Sequence, residues 1–284
     1  MNVAMDLLEE LERSRTTAMV RRLQMTLLRA DMEGDMDTHL KALKNDSLDP
    51  VDYQLIFIKF LVKFFPDVPD RLLQRLVPGC PTVVEGEKKF MNRKQRKAVQ
   101  KAEKVAVNLF SGAQRWTLSD NEHAVSVEKE KGQDLHSDEV WKPLLDLAFQ
   151  GRIHALTAGP PCRTFSRLRG EGPGPRRVRG QGEDRFGIAD LNKHEQWMVD
   201  GDSVLILKTL VLYQIASWSR GRGVFFVMEH PEDPAHFADK TAPSVWQWKE
   251  WEMFPEMHFV GFDQGACGHE LVKPTRVATT SERR

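Results

Sequence analysis

The sequence has few cysteines, no net charge and no long apolar run. Its 3 cysteines in 284 residues are too few for a secreted scaffold held by disulfides, and they fit a reducing compartment. Basic and acidic side chains number 41 each, so overall charge identifies no class of partner. No apolar run is long enough for a membrane span, and the acidic start lacks the positive charge of a signal peptide. We therefore expect a soluble, intracellular protein with no membrane partner.

The N-terminal part of the chain, residues 1–87, is predicted to be helical. Apolar residues recur at helical spacing over residues 6–29, and shorter helices are expected near 37–44, 50–65 and 71–76. Two interpretations fit this region. It is either a module that binds a protein partner or itself, or a small helical bundle that covers the main domain.

Residues 88–104 differ in charge from the rest of the chain. They contain eight lysines and arginines against one glutamate, and they predict a basic connector helix. Such a run either contacts phosphates or acts as a nuclear address, or it is a solvated helix face.

From residue 105 to residue 284 the pattern alternates between apolar strands and helices. This alternation predicts a mainly parallel α/β fold. Strands are expected at 105–110, 124–127, 154–158, 224–228, 257–262 and 276–280, with helices at 138–149 and 203–217.

One of these predicted strands ends abruptly, and a cysteine follows its end. The apolar run from His154 stops at Gly159-Pro160-Pro161, and Cys162 follows at once. Proline fixes its own backbone angle and lacks an amide donor, so the chain must leave the sheet there. In open α/β sheets the carboxyl ends of the strands are where reacting groups lie. A free cysteine is otherwise a small buried hydrophobic residue, and that alternative stays open.

A stretch rich in arginine and glycine follows the cysteine. Residues 163–187 contain seven arginines and six glycines, which predicts a long flexible loop. Because it begins beside Cys162, it is expected to close over a polyanion; the alternative is an insertion with no single role. The predicted phosphate contacts are Arg167, Arg169, Arg176, Arg177 and Arg179.

Three motifs in this order resemble the S-adenosylmethionine-dependent methyltransferases that act on carbon-5 of cytosine. They are Asn108-Leu-Phe-Ser-Gly112, Gly159-Pro-Pro-Cys-Arg-Thr-Phe-Ser166 and Met228-Glu229-His230. The resemblance covers residues 105–280 and implies a Rossmann-like methyltransferase sandwich. The ending, with Lys273-Pro-Thr275, is similar to a variant branch met in mobile-element and protist proteins.

The resemblance also implies roles for individual residues. Cys162 would add to carbon-6 of a flipped-out cytosine, and Glu229 would hydrogen-bond or protonate nitrogen-3 of the ring. The cofactor S-adenosylmethionine would be held by Phe110, Ser111, Gly112, Glu128, Asp134, Leu135 and Pro160. DNA would be contacted by Arg163 and Ser166 together with the loop arginines.

Alternative functions remain at this stage. The same cysteine chemistry permits RNA as the substrate. The short stretch between residues 112 and 123 also fits an inactive relic that binds nucleic acid or a protein partner. The histidines and cysteines lack the spacing of metal ligands, so no metal is predicted.

Overall fold

The structure is a computed structural model, and it falls into two compact units. It describes residues 35–45, 47–79, 90–110, 122–129, 133–166, 169–170, 174–221, 223–236, 239–268, 270 and 272–281. The units are Met1–Cys80 and Pro81–Arg284. The helix predicted over 6–29 lies outside the described residues. Within these ranges, no helix has the length and apolarity needed to cross a membrane.

The first unit contains three short helices in its described part. They are α1 (Met36–Leu43), α2 (Pro50–Phe64) and α3 (Asp70–Leu76), close to the predicted ranges. Asp49 caps α2, since its carboxylate accepts from the amides of Val51 and Asp52. Aromatic side chains on one face of α2, including Phe57, Phe60 and Phe64, are fully buried and form the core of this unit.

The second unit is built on one six-stranded sheet. Its strands are β1 (Lys104–Leu109), β2 (Glu122–Val127), β3 (Ile153–Ala158), β4 (Phe225–Pro231), β5 (His258–Asp263) and β6 (Pro274–Thr279). The spatial order is β2-β1-β3-β4-β6-β5. Strands β1 to β4 pair in parallel, whereas β6 is antiparallel to both β4 and β5. The mixed α/β class with a mostly parallel sheet is therefore confirmed.

Three helices accompany this sheet in the described residues: α4 (Arg93–Lys101), α5 (Asp138–Phe149) and α6 (Lys193–Arg220). Helix α4 lies within the basic stretch and begins with a capping box. Helices α5 and α6 pack against each other, and α6 contacts β3. Tyr213 of α6 lies 4.7 Å from Phe226 of β4 between ring centroids, so the core sits between α6 and the sheet.

Helix α6 is longer than the sequence predicted. It begins at Lys193 rather than at residue 203, because Asn192 and Glu195 form a capping box. Its first ten residues are mostly polar, so no apolar stripe marks them. Two of these polar residues, Asp200 and Asp202, are buried, and Asp202 accepts hydrogen bonds from Arg163 and Thr164.

The strand order creates a switch point between β1 and β3. The chain passes from β1 to β2 on one side, and then returns to add β3 on the other side of β1. Ligands of open α/β sheets bind outside the carboxyl ends of the strands at such a point. The segments that follow β1 and β3, which carry Phe110 and Cys162, lie there.

The loop predicted to be flexible is fixed over residues 174–187, which corrects the expectation. Val178 and Phe186 are buried in it, as are Arg179 and Arg185. Arg177 pairs with Asp239, and residues 182–186 form a 3₁₀ turn. The arginine side chains make hydrogen bonds that hold this glycine-rich segment in place. We refer to residues 174–187 as the strap. Residues 167–168 and 171–173 lie outside the described part.

A buried ion pair joins the strap to the segment before β5, and it predicts a stability effect. Arg185 donates to Glu250 at 2.9 Å, and both side chains are almost fully buried. We expect Arg185→Met to lower the free energy of unfolding by about 3–5 kcal/mol, because it leaves a buried carboxylate unpaired. The double variant Arg185→Met, Glu250→Leu should regain most of this loss in urea unfolding. Equal losses in the single and double variants would contradict this account.

Candidate active site

Three strand ends meet around Gly159. The amide of Gly159, just after β3, donates to the carbonyl of Leu109 in β1 at 3.2 Å. A Cβ placed on Gly159 would lie 3.6 Å from Glu229 Oε2 and 4.0 Å from the Phe110 carbonyl oxygen. The ends of β1, β3 and β4 therefore lie close together, and Gly159 adds no side chain between Glu229 and Phe110.

Cys162 lies on a tight turn that several groups hold in place. The amide of Phe165 donates to the Cys162 carbonyl at 2.9 Å. The Thr164 hydroxyl donates to Asp202 of α6 at 2.8 Å, and the Arg163 guanidinium donates to the same carboxylate at 3.1 Å. Pro160 is buried, and Cys162 itself is half-buried. The turn is thus fixed to α6, and it leaves the thiol partly open to solvent.

Arg179 of the strap is an internal anchor of this turn. It is 0% exposed, and its guanidinium donates to the Thr164 hydroxyl at 3.0 Å and to the Ser203 hydroxyl at 3.0 Å. It also donates to the carbonyls of Arg185 and Val199. These bonds and the burial leave no surface for a phosphate, so the predicted nucleic-acid contact is wrong for Arg179.

His230 supports the turn from β4. Its ring donates to the carbonyl of Pro161, and burial, with the nearby cations Arg179 and Lys273, lowers its pKa to about 3. The ring also lies edge-on to Phe165 at 5.0 Å between centroids. His230 is therefore neutral at physiological pH, and it joins the end of β4 to the residue just before Cys162. The sequence analysis missed this role, because one histidine at a strand end carries no signal of its own.

The Cys162 thiol is held in its protonated form by its surroundings. Burial raises the pKa of Cys162 above its ordinary value, and the negative charges of Glu229 and Asp202 raise it further. The positive charge of Lys273 opposes them. The reactive thiolate therefore needs either higher pH or a change in this charge balance.

Glu229 has two carboxylate oxygens in different surroundings. Oε1 accepts from Gln264 Nε2 at 3.0 Å and from Lys273 Nζ at 3.5 Å. Oε2 is the oxygen that faces Gly159. The side chain is 34% exposed, so the carboxyl group is reachable from solvent. Gln264 and Lys273 come from the turn between β5 and β6, and the sequence analysis assigned neither to the site.

Phe110, one of the predicted cofactor contacts, has an unusual backbone. Its φ is 61°, which is the left-handed region that non-glycine residues rarely adopt. Its amide donates to the Val127 carbonyl at 2.8 Å, which ties the ends of β1 and β2 together. A strained backbone conformation of this kind persists only where the surrounding structure imposes it. Such positions are often found at binding sites. Ser111 and Gly112 lie outside the described residues.

A buried polar atom lies two residues before Phe110, in β1. Asn108 is 5% exposed, and its Oδ1 accepts from the Thr157 hydroxyl at 3.0 Å. Its Nδ2 is buried and has no hydrogen-bond partner. A buried donor without a hydrogen-bond partner costs free energy. This donor lies near the switch point.

The other predicted cofactor residues lie after β2 and before α5. Glu128 follows β2 directly, and its carbonyl accepts from the Gln133 amide at 3.1 Å. Asp134 accepts from the His136 amide at 2.9 Å and pairs with Lys129 at 3.5 Å. The Leu135 side chain is buried.

The remaining predicted nucleic-acid residues are distributed unevenly. The Arg163 side chain, beside Cys162, is 55% exposed, and Ser166 is half-buried. Arg169 donates to the carbonyls of Arg163 and Arg176, while Arg176 pairs with Asp190 and Glu195. Arg177 is paired as described above, and Arg167 lies outside the described residues. Arg163 is thus the predicted contact that combines exposure with a position next to the thiol. In the described part of the chain, no three histidine, cysteine or acidic residues group as metal ligands.

The raised pKa of Cys162 predicts slow alkylation at neutral pH. Iodoacetamide should modify Cys162 more slowly than a free thiol at pH 7, because only the thiolate reacts. The rate should keep rising with pH beyond the point at which a free thiol levels off. Mass spectrometry of the peptide that contains Cys162 measures this rate separately from the other cysteines. A profile that levels off at or below the pH of a free thiol would contradict the prediction.

Neutral His230 predicts a loss of stability in acid. Its pKa is about 3 in the folded protein and about 6.5 when unfolded, so the unfolded chain binds the extra proton between these values. The free energy of unfolding should therefore fall as pH falls from about 6.5 towards 3, by up to about 1.4 kcal/mol per pH unit from this residue. Urea unfolding at several pH values should show a smaller slope in His230→Gln. An identical slope in both proteins would contradict the assignment.

Comparison of the chain with known proteins gives no further guide to this site. No family model matches it, and neither a curated protein nor a solved structure matches. The three motifs, and the geometry that brings their residues together, are therefore the features that point to a function.

Proposed function

We propose that the second unit transfers a methyl group from S-adenosylmethionine to carbon-5 of cytosine in DNA, through a covalent adduct on Cys162. The observation that carries this proposal is the meeting of the three motif segments at one switch point. Gly159, which leads to Cys162, lies against both the Phe110 carbonyl and Glu229 Oε2. Residues far apart in sequence thus converge where α/β sheets bind ligands, and a Rossmann-like methyltransferase sandwich fits this arrangement.

The proposed chemistry assigns the first step to Cys162. Its thiolate adds to carbon-6 of cytosine, and the electron pair of the carbon-5–carbon-6 bond becomes available at carbon-5. Glu229 Oε2, the oxygen that faces Gly159, stabilises the ring by hydrogen bonding or proton donation at nitrogen-3. After methylation, loss of the proton from carbon-5 and elimination of the thiolate restore the ring.

Two features of this chain fit a bound cofactor. The strained Phe110 backbone and the unpaired Asn108 Nδ2 both lie at the end of β1, where a ligand can satisfy the free donor. Phe110, Ser111, Gly112 and Glu128 would hold S-adenosylmethionine, with Asp134 beside its adenine. When bound, this cofactor supplies an electrophilic methyl group.

DNA is the proposed substrate, and the target base would be flipped out of the duplex. Arg163 is placed to meet a phosphate beside the extruded nucleotide, since its side chain is 55% exposed next to Cys162. The basic helix α4 offers a further phosphate contact and fits a nuclear protein. RNA is the alternative substrate, because the same thiol chemistry applies to it.

Covalent trapping tests the reaction. A DNA oligonucleotide with 5-fluorocytosine should form a stable adduct with the protein in the presence of S-adenosylmethionine, because fluorine at carbon-5 cannot leave as a proton does. Cys162→Ser should abolish the adduct, and Glu229→Gln should slow its formation by about 10²–10⁴-fold. Denaturing gel electrophoresis and mass spectrometry of the labelled peptide measure both effects.

Two controls sharpen this test. The same oligonucleotide in RNA form identifies an RNA enzyme if it alone is trapped. Cys267→Ser removes an exposed cysteine of the same unit and should leave trapping unchanged. If neither nucleic acid is trapped while calorimetry shows no binding of millimolar S-adenosylmethionine to the folded protein, the methyltransferase proposal is wrong for both DNA and RNA.

A further inference from the structure

We propose that Lys273 is the residue that allows Cys162 to ionise beside Glu229, so that the turn between β5 and β6 acts as the activating element of the site. The inference rests on the proposed function, because it takes Cys162 as the nucleophile and Glu229 as its partner. A thiolate and a carboxylate in one small site repel each other. Before the base binds, ionisation of the Cys162 thiol therefore needs a nearby cation that offsets the charge of Glu229.

Lys273 is placed to be that cation. Its Nζ lies 3.5 Å from Glu229 Oε1, and its charge is felt at the Cys162 thiol. The lysine is 45% exposed, so its flexible chain can follow either anion. Gln264 donates to the same Oε1 at 3.0 Å. Both donors bind one oxygen of Glu229, and this turns Oε2 towards Gly159, where the base would lie.

The position of Lys273 is fixed by its own backbone. Asp263, the last residue of β5, accepts from the Gly265 amide at 2.8 Å and from the Lys273 amide at 3.0 Å. The Gln264 amide donates to the Lys273 carbonyl at 3.1 Å. These bonds close the base of the turn, so Gln264, just after β5, and Lys273, just before β6, lie side by side.

The other charged or titratable groups around Cys162 either have hydrogen-bond partners or are neutral. Asp202 of α6 accepts from Arg163 and Thr164, Arg179 of the strap is bound to internal oxygens, and His230 of β4 is neutral because its pKa is about 3. Glu229 of β4 is the remaining negative charge that acts on the thiol. Lys273 is therefore the cation that offsets it.

Alkylation of Cys162 in the full chain tests this role without any need for methyl transfer. At pH 7, Lys273→Met should slow the reaction of Cys162 with iodoacetamide by about three- to tenfold, since less thiolate is present. Lys273→Arg keeps the charge and should restore the rate to within about twofold. Glu229→Gln removes a negative charge and should speed the reaction. The whole pH profile should move to higher pH in Lys273→Met and to lower pH in Glu229→Gln.

A matched control is Lys104→Met, which removes a lysine at the opposite end of the sheet and should leave the profile unchanged. An unchanged profile in Lys273→Met overturns the proposal. A shift that Lys273→Arg fails to restore also overturns it, because the effect would then come from the lost shape of the side chain rather than its charge. If the profiles shift as expected but no nucleic acid is trapped, Lys273 activates Cys162 and the methyltransferase proposal fails by itself.

Discussion

The buried guanidinium of Arg179 is the interaction on which the site depends. A fully buried cation is tolerated only where oxygens satisfy its donors, and here these oxygens come from three separate segments. They belong to Thr164 beside the cysteine, to Arg185 of the strap, and to Val199 and Ser203 of α6. One side chain thus joins the cysteine turn, the strap and the long helix. If the turn moved, the Nε donor of this buried cation would lose its acceptor, Thr164.

This anchor also affects the electrostatics of the site. Arg179 and Lys273 both lower the pKa of His230, although burial is the larger cause. The histidine consequently stays neutral, and it serves as a hydrogen-bond donor to Pro161 rather than as a second cation beside the thiol. The charge balance at Cys162 is then set mainly by Glu229 and Lys273. A site with two potential anions and one exposed lysine is sensitive to pH and to any ligand that contacts that lysine.

The strands and the cysteine turn were predictable because their signals are local. An apolar run that ends at Gly159-Pro160-Pro161 specifies a strand and its exit, whatever the rest of the chain does. The place of Lys273 was not predictable, because it depends on β6 inserting antiparallel between β4 and β5. The role of His230 was not predictable either, because it depends on β4 pairing beside β3. The predicted phosphate contact of Arg179, in the strap, was wrong for another reason. Residue type shows that Arg179 carries a charge, but only the packing of Thr164 and Ser203 around it shows that the charge faces inward.

The two halves of the candidate site are held by different kinds of restraint. Side-chain hydrogen bonds from α6, β4 and the strap fix Cys162, so the geometry of the thiol exists before any ligand binds. At the end of β1, by contrast, the chain carries a strained Phe110 and an unpaired amide on Asn108. Both are costs that a ligand can offset. Binding at the end of β1 would therefore stabilise the unit, whereas the cysteine turn needs no such help. Because Gly159 lies against both the Phe110 carbonyl and Glu229 Oε2, a ligand bound at the end of β1 would also lie close to Glu229 Oε2.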